Sequence, residues 1–389
     1  MDTKALYRER IGRFDAVMNK RIPDRVPIIP NMGTWMYHQS GVSVRRAFTE
    51  DPDEIVRAAA WLNDALPMMD GLISTSNTIP INLASRLGEG IYVVSDSGVQ
   101  IRGGGGKLME QEEYPLLKSD PLRFFANVMI PRKFDSLRGA SFERKVDIIK
   151  QAFRDFVEFN HFNAHADARI ESELGLPLIT KGTNFLAPDV VLDYLRDFVG
   201  ISRDVRRCPD ELLEACLSLY DFILGMFRES LPPQDPKLIF SPLHLPTYLR
   251  PKDFAKLYLP FMKRYLQEVS VERGYSVYFF MENEWMPYLD LLQELPDNTK
   301  FVGLFESGNL AEIKRRLGDK MVVMGGMPVS LLYMGTKDAV IDKAKECLDT
   351  LAPGGGYIFS SDKTLLTSTD GKLENVVAAC EYIAAHGKY

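Results

Sequence analysis

The sequence has little cysteine, little histidine and no apolar run long enough to cross a membrane. Its four cysteines form no Cys-x-x-Cys pair, so neither a disulfide framework nor a cysteine-rich zinc site is predicted. The amino terminus is charged throughout and has no apolar signal-peptide core. A net charge of −6 argues against a large basic surface for nucleic acid. These absences predict a cytoplasmic protein with no membrane or nucleic-acid partner.

The alternation of apolar runs and helical stretches predicts the fold. From about Leu176 onward, short continuous apolar segments are separated by amphipathic helical segments. This pattern is typical of a parallel sheet covered by helices, and about eight units are counted when the amino-terminal ones are included. We therefore expect an α/β fold, a (β/α)8 TIM-type barrel over residues 1–389, in preference to a doubly wound sheet.

Two segments stand outside this alternation. Residues 88–114 alternate in polarity and are rich in glycine, which predicts a β-hairpin insertion with Gly103–Gly106 as its tip. The four glycines lack the spacing of a phosphate-binding loop. Residues 141–174 predict one long amphipathic helix, and residues 3–19 an amino-terminal helix.

Ionisable residues directly follow three of the predicted strands. Glu282 follows SVYFFM, Glu306 follows KFVGLF, and His244 follows KLIFSPL. In a barrel the carboxyl ends of the strands meet at one mouth. A charged group beside a core strand is costly unless it is paired, hydrogen-bonded or bound to metal. The three residues are predicted as acid–base groups or metal ligands; the alternative is that they cap helices, pair with a cation or hold a loop.

Aromatic and amide side chains accompany these groups at the predicted strand ends. Trp35, Tyr37 and His38 follow the first strand, Asn184 follows LPLITKG, and Trp285 lies beside Glu282. We predict that they contact a small-molecule substrate, since rings near a barrel mouth suit a flat apolar ligand. Packing in the rim or core is the alternative.

Several sequence segments resemble the uroporphyrinogen decarboxylase superfamily. The order of PDRVPIIP, SPLHLPTYLRPKDFAKLYLPFMKRYLQ, MGGMPVSLLYMGT and GGGYIFSS is similar to that family over nearly the whole chain. The resemblance implies a (β/α)8 barrel with its site at the carboxyl-terminal mouth.

Two branches of that family differ at positions visible here. True uroporphyrinogen decarboxylases carry arginines after the first strand, whereas this chain has NMGTWMYHQSG and no arginine before Arg45. A polycarboxylate substrate needs such cations, so porphyrin decarboxylation is disfavoured. The corrinoid-dependent methyltransferases carry a His-x-Cys pair where this chain has Phe280 and Glu282, and the acidic residue of the next strand matches Glu306.

The resemblance to the second branch implies a function, a metal and a partner. The implied zinc site is rich in oxygen and imidazole, with His244, Glu282, Glu306 and Asp362 as ligands. The implied activity is a methyltransferase that moves a methyl group from a methoxylated small molecule, aromatic compounds included, to a corrinoid carried by a partner protein. The resemblance is also compatible with a homodimer. The alternatives are a cofactor-free decarboxylase or lyase of a small organic acid, and a non-catalytic binding protein.

Overall fold

The computed structural model describes residues 2–101, 107–230 and 237–389. Within them, six strands form one parallel sheet and two more form an antiparallel hairpin. The strands are β1 (Tyr92–Ser95), β2 (Gly98–Ile101), β3 (Thr180–Thr183), β4 (Leu238–Leu243), β5 (Ser276–Met281), β6 (Phe301–Phe305), β7 (Val322–Met327) and β8 (Tyr357–Ser361).

Helices follow the strands and cover the sheet. The α-helices are Thr3–Met18, Trp35–Ser40, Val44–Thr49, Asp53–Ala65, Ile81–Leu87, Tyr114–Ser119, Pro121–Phe124, Ile130–Lys133, Phe142–Leu174, Ala187–Val190, Asp197–Arg207, Pro209–Ser230, Pro251–Leu257, Leu259–Tyr265, Leu289–Leu292, Leu310–Leu317, Val329–Met334, Lys337–Leu351 and Leu373–His386. Short 3₁₀ turns lie at Gln111–Glu113, Asp135–Leu137, Pro246–Tyr248 and Met286–Tyr288, and π-helical turns at Phe125–Met129, Val191–Arg196 and Leu266–Val271. Among the described residues, no helix is long and apolar enough to span a bilayer.

Two extended segments before β3 join the edges of the six-stranded sheet. Ile28 bridges Phe359 in β8, and Leu72 bridges Leu178 just before β3, both in parallel. The Asp70 N–H donates to the Ile28 carbonyl oxygen at 2.8 Å, which links the two segments to each other. The predicted α/β fold is confirmed, with the (β/α)8 arrangement built from six regular strands and two segments held by isolated bridges.

The interior of the ring is filled with apolar side chains. Each of the eight segments contributes to one buried cluster, through Ile29, Ile73, Ile179, Leu238, Tyr278, Val302, Met324 and Ile358. Phe14 and Val17 of the amino-terminal helix join the same cluster, so this helix closes one end of the barrel. Because the interior is a packed core, polar chemistry is confined to the rim at the carboxyl ends of the strands.

The two predicted segments outside the alternation are present. β1 and β2 pair antiparallel around a turn at Asp96 and Ser97, inside the predicted insertion. Gly103–Gly106 lie outside the described residues. The long helix spans Phe142–Leu174; the Ser141 hydroxyl caps its start by accepting from the Arg144 N–H at 3.2 Å. It ends at Gly175, whose positive φ of 60° suits glycine and where a Cβ atom would lie 2.7 Å from the Thr3 carbonyl oxygen.

Candidate active site

An imidazole held between two carboxylates lies at the carboxyl end of β4. His244 Nδ1 lies 2.8 Å from Asp193 Oδ2, and His244 Nε2 lies 3.3 Å from Glu282 Oε1. Glu282 follows β5, the neighbour of β4, so the parallel register brings these two strand ends together. Asp193 comes from the helical turn that follows β3. Two of the three sequence-predicted residues, His244 and Glu282, are therefore adjacent, and the carboxylate of Asp193 on the opposite ring nitrogen orients the ring.

A buried carboxylate fixes the backbone beneath the imidazole. Asp189 is fully buried, and its Oδ1 accepts from the N–H groups of His244 at 3.0 Å and Leu245 at 2.8 Å. Its Oδ2 accepts from the Tyr258 hydroxyl. Burial raises the pKa of Asp189 to about 7, against the opposing effect of these hydrogen bonds. Asp189 thus sets the position from which the ring of His244 projects.

The two flanking carboxylates keep His244 protonated. Burial favours the neutral ring, but the hydrogen bonds and negative charges of Asp193 and Glu282 outweigh it and raise the pKa of His244 to about 10. At neutral pH both ring nitrogens therefore carry protons. The side chain remains 30% exposed, so a molecule at the mouth can reach it. The arrangement is suited to giving a proton to a bound group.

Glu306 forms a separate ion pair on the next strand end. Its Oε2 accepts from the Asn283 N–H at 2.6 Å, and its Oε1 lies 2.5 Å from Lys363 Nζ. Asn283 has a positive φ of 55°, the left-handed conformation that turns its N–H toward Glu306. Burial alone raises the pKa of Glu306, but the Asn283 N–H and the Lys363 ammonium outweigh it and lower that pKa. Glu306 is thus held as a carboxylate.

Asp362 has a local structural role after β8. Its Oδ1 accepts from the Val329 N–H at 2.9 Å, at the start of the helix Val329–Met334. Burial raises the pKa of Asp362, which its hydrogen bonds and Lys363 only partly oppose. The carboxylate therefore caps a helix and is not directed at His244.

The residues predicted to bind zinc do not fit a single metal ion. Asp193 and Glu282 contact opposite nitrogens of His244, so the three cannot converge on one ion, whereas Glu306 is occupied by Asn283 and Lys363. In the described part of the chain, no group of three or more His, Cys, Asp or Glu side chains is placed to hold a metal. Structural zinc needs four convergent ligands and catalytic zinc three. In the described chain the four predicted ligands instead form a contact between His244 and Glu282, an ion pair of Glu306 with Lys363, and a helix cap by Asp362.

The sequence matches a known family over the barrel. Residues 169–386, more than half of the chain, match the model of the family described as uroporphyrinogen decarboxylase (URO-D). The chain belongs to the URO-D family. No curated protein matches it. Among solved structures, a methyltransferase from Methanosarcina mazei is similar, with a TM-score of 0.59 and 15% sequence identity over 95% of this chain and 97% of that chain. At that identity the likeness shows the shared fold.

Three predicted substrate contacts of this URO-D member lie behind the rim. Trp35, Tyr37 and Trp285 are each 0% exposed. The Trp35 indole donates to the Gly371 carbonyl oxygen at 2.9 Å, and the Tyr37 hydroxyl donates to that of Thr75 at 2.7 Å. In this structure the three rings support the rim from inside, which is the packing alternative, and their contact with substrate stays a prediction.

The remaining predicted contacts differ in exposure. Trp285 Nε1 donates to the Glu282 carbonyl oxygen at 2.8 Å, so this buried ring positions a mouth carboxylate. Asn184 is 7% exposed and its N–H bonds to the Phe240 carbonyl oxygen at 2.8 Å. His38 is half-buried in the short helix Trp35–Ser40 and remains a predicted substrate contact.

Sequence reasoning missed Asp189 and Asp193. Both lie in APDVVLDYLRDF, shortly after the end of β3. Two carboxylates four residues apart on one helical face, just past a strand end, are the signal that could have identified them. Their partner is a histidine 51 residues away from Asp193, which sequence spacing does not reveal.

Proposed function

We propose that this URO-D member is a methyltransferase that removes a methyl group from a methoxylated small molecule, aromatic compounds included, and passes it to a corrinoid protein. The observation that carries the proposal is the imidazole of His244 between Asp193 and Glu282 at the barrel mouth. The likeness in fold to a methyltransferase from Methanosarcina mazei supports it. The bound corrinoid of the partner supplies the nucleophile that accepts the methyl group.

His244 acts as the proton donor to the leaving oxygen. Cleavage of the methyl–oxygen bond leaves the electron pair on oxygen, and a proton from His244 converts that oxygen to a hydroxyl group. The ring becomes neutral and is reprotonated from solvent in the next cycle. Glu282 lies beside Nε2 and favours the charged form of the ring, so Nε2 holds the proton that is donated.

The acid strength of His244 suits a phenolic leaving group. Its pKa of about 10 is close to that of an ordinary phenol, and general acid catalysis is efficient when donor and acceptor are matched. Beside the His244 loop, a cavity of about 520 Å³ is lined in part by Leu245, Tyr248 and Phe198. The exposed rings of Phe198 and Tyr248 meet edge to face with their centroids 4.7 Å apart and give this cavity an aromatic wall.

Decarboxylation of a small organic acid, the alternative activity, is less well supported by the cations near the mouth. Lys363 is paired with Glu306, and Arg250 is paired with Asp253 at 2.7 Å. The ammonium group of Lys181 lies 5.5 Å from the ring centroid of Tyr275. Tyr275 immediately precedes β5, so this contact lies at the amino-terminal end of that strand, away from the mouth. A carboxylate substrate would have to displace an existing ion pair to find a cation.

The proposal is tested by methyl transfer from a panel of methoxylated compounds to reduced cobalamin. We expect the demethylated product and methylated cobalamin in equal amounts, with a rate roughly 10²–10⁴-fold lower in His244→Gln. His386→Gln, at the end of the last helix, is the matched control and should retain activity. Carbon dioxide release from organic acids without cobalamin, and no methyl transfer from any member of the panel, would support the decarboxylase instead.

A further inference from the structure

A cavity lined by cations opens at the amino-terminal end of the barrel, away from the mouth. It has a volume of about 510 Å³, within the range of sites for small molecules. Val322, the first residue of β7, and Gly356, which precedes β8, both line it. Its charged lining residues are Lys20, Arg21, Lys314, Arg315 and Asp319. Cations outnumber carboxylates in this lining, so the cavity is suited to an anion.

The ammonium groups of the two lysines are bonded to carbonyl oxygens and not to carboxylates. Lys314 Nζ donates to the Gly355 carbonyl oxygen at 2.5 Å, and Lys20 Nζ donates to that of Asp319 at 2.7 Å. Lys314 is half-buried, and burial lowers its pKa, an effect that the charge of Asp319 only partly opposes. A cation removed from water is costly unless an anion compensates it. An anionic ligand in the cavity would supply that compensation.

The lysine side chains are not needed to end the two helices beside the cavity. The Gly318 N–H donates to the Lys314 carbonyl oxygen at 2.9 Å and ends the helix that carries Lys314. The Arg21 N–H donates to the Ala16 carbonyl oxygen at 2.8 Å, just past the end of the amino-terminal helix. Because backbone groups satisfy these helix ends, the charges of the lysine side chains are available to a ligand.

Lys20 occupies a backbone position that favours glycine. Its φ is 56°, in the left-handed region, and it directly follows Asn19, the C-cap of the amino-terminal helix. Glycine is the usual residue at this position because a Cβ atom is strained in the left-handed conformation. A lysine here is disfavoured by its backbone, which indicates that its ammonium group has a use at the cavity.

Three successive glycines form one wall of the cavity. Gly354, Gly355 and Gly356 have φ values of 78°, 75° and 65°, so all three are left-handed. A Cβ atom at Gly356 would lie 2.9 Å from Lys314 Nζ. Since a side chain there would displace the ammonium group, this glycine preserves both the open cavity and the position of the charge.

We propose that this cavity binds the phosphate group of a small molecule, with Lys314 and Lys20 as its charged contacts. A phosphate group offers three strong acceptor oxygens and up to two negative charges, so it can bond both ammonium groups at once. Arg21 and Arg315 are already paired with carboxylates, so the two lysines carry the site. Free phosphate and a phosphate ester share this chemistry, and their relative affinities distinguish the two.

Isothermal titration calorimetry of the full chain at constant ionic strength tests this inference, with inorganic phosphate and adenosine monophosphate as probes. We expect saturable binding, weakened roughly tenfold or more in Lys314→Met by loss of a charge-assisted hydrogen bond. Lys345→Met is the matched control, because Lys345 is an exposed lysine that does not line the cavity, and its affinity should be unchanged. Tighter binding of adenosine monophosphate identifies a phosphate ester as the ligand, and tighter binding of inorganic phosphate identifies the free ion.

Lys20→Gly separates a ligand contact from a structural contact. This variant removes the ammonium group but supplies the residue that the left-handed backbone favours. We therefore expect a thermal unfolding midpoint equal to or above that of the unaltered protein, together with phosphate binding weakened roughly tenfold. The same variant serves if Lys314→Met does not fold. A lower midpoint with unchanged binding would contradict the role of Lys20 at the site.

Two further results would overturn the inference. One is the absence of saturable binding of either probe to the unaltered protein. The other is binding that survives both Lys314→Met and Lys20→Gly with unchanged affinity, which would place the anion elsewhere. Neither result bears on the proposed methyl transfer, because the cavity lies at the amino-terminal ends of β7 and β8, whereas His244 follows the carboxyl end of β4.

Discussion

Asp193 holds Nδ1 of His244 at 2.8 Å, on the side of the ring opposite Glu282. This contact joins a helical turn after β3 to the end of β4, and it leaves Nε2 facing Glu282. Asp193 is therefore the residue that positions and charges the imidazole.

Removing the charge of Asp193 should shift the pH dependence of the reaction. Asp193→Asn takes away one of the two carboxylates that raise the pKa of His244, so that pKa falls below about 10. Because the reactive form is protonated, the alkaline limb of the pH–rate profile should move to lower pH. Asp253→Asn, in the helix Pro251–Leu257, is the control, since Asp253 pairs with Arg250. An unchanged alkaline limb in Asp193→Asn would contradict the positioning role.

The charge of His244 should also make stability depend on pH. Its pKa is about 10 in the folded state and about 6.5 in an unfolded chain, so the folded state binds the proton more tightly. The resulting stabilisation is complete below about pH 6.5 and is lost as the pH rises toward 10. His244→Gln should therefore lower the free energy of unfolding by ~1–3 kcal/mol at low pH, allowing for solvent screening, and by less at high pH. Urea unfolding at several pH values measures this; a difference that grows with pH would contradict it.

Asp189 should matter more for folding than for proton transfer. Asp189→Ala leaves the N–H groups of His244 and Leu245 and the Tyr258 hydroxyl without their acceptor, so we expect a loss of ~2–4 kcal/mol in unfolding free energy. Asp189→Asn keeps an acceptor oxygen and should lose less. A thermal unfolding midpoint of Asp189→Ala equal to that of the unaltered protein would contradict this assignment.

The pKa of Asp189 predicts how the stability difference between the unaltered protein and Asp189→Asn changes with pH. It is about 7 in the folded state, above the value of about 4 in an unfolded chain, so ionisation of this buried group disfavours folding. The penalty is absent below about pH 4 and grows as the pH rises through 7. Relative to Asp189→Asn, which cannot ionise, the unaltered protein should lose stability over that interval.

Zinc should not be a stoichiometric component of the purified protein. The side chains near the mouth that could bind zinc already have other partners. His244 lies between the carboxylates of Asp193 and Glu282, and Glu306 forms an ion pair with Lys363. Elemental analysis should give well under one zinc per chain, and a chelator should leave methyl transfer unchanged. One zinc per chain that disappears in Glu282→Ala would show that the side chains rearrange around a metal.

The sequence predicted the architecture because strands and helices follow from local patterns. The long helix at 141–174 was predicted to within one residue, and the polar residues His244, Glu282 and Glu306 were correctly expected after apolar strands. Parallel strands place their carboxyl ends together, so adjacency of the strand ends also follows from topology.

The partners of each mouth residue could not be predicted. Asp193 reaches His244 from a helical turn, and Lys363 reaches Glu306 from the segment after β8, through side-chain positions that no spacing rule encodes. Trp35 and Tyr37 were expected in a pocket, but the short helix Trp35–Ser40 turns both rings into the core. Their burial depends on tertiary packing and not on their position after a strand.

The most direct test of proton donation by His244 compares substrates whose leaving oxygens differ in basicity. Methyl transfer to reduced cobalamin would be measured for the unaltered protein and for His244→Gln, with a series from weakly basic phenols to strongly basic alcohols. We predict that the rate lost in His244→Gln increases with the pKa of the leaving group, because a poor leaving group depends most on protonation. The same loss for every substrate, or no loss at all, would contradict the role of His244 as the proton donor.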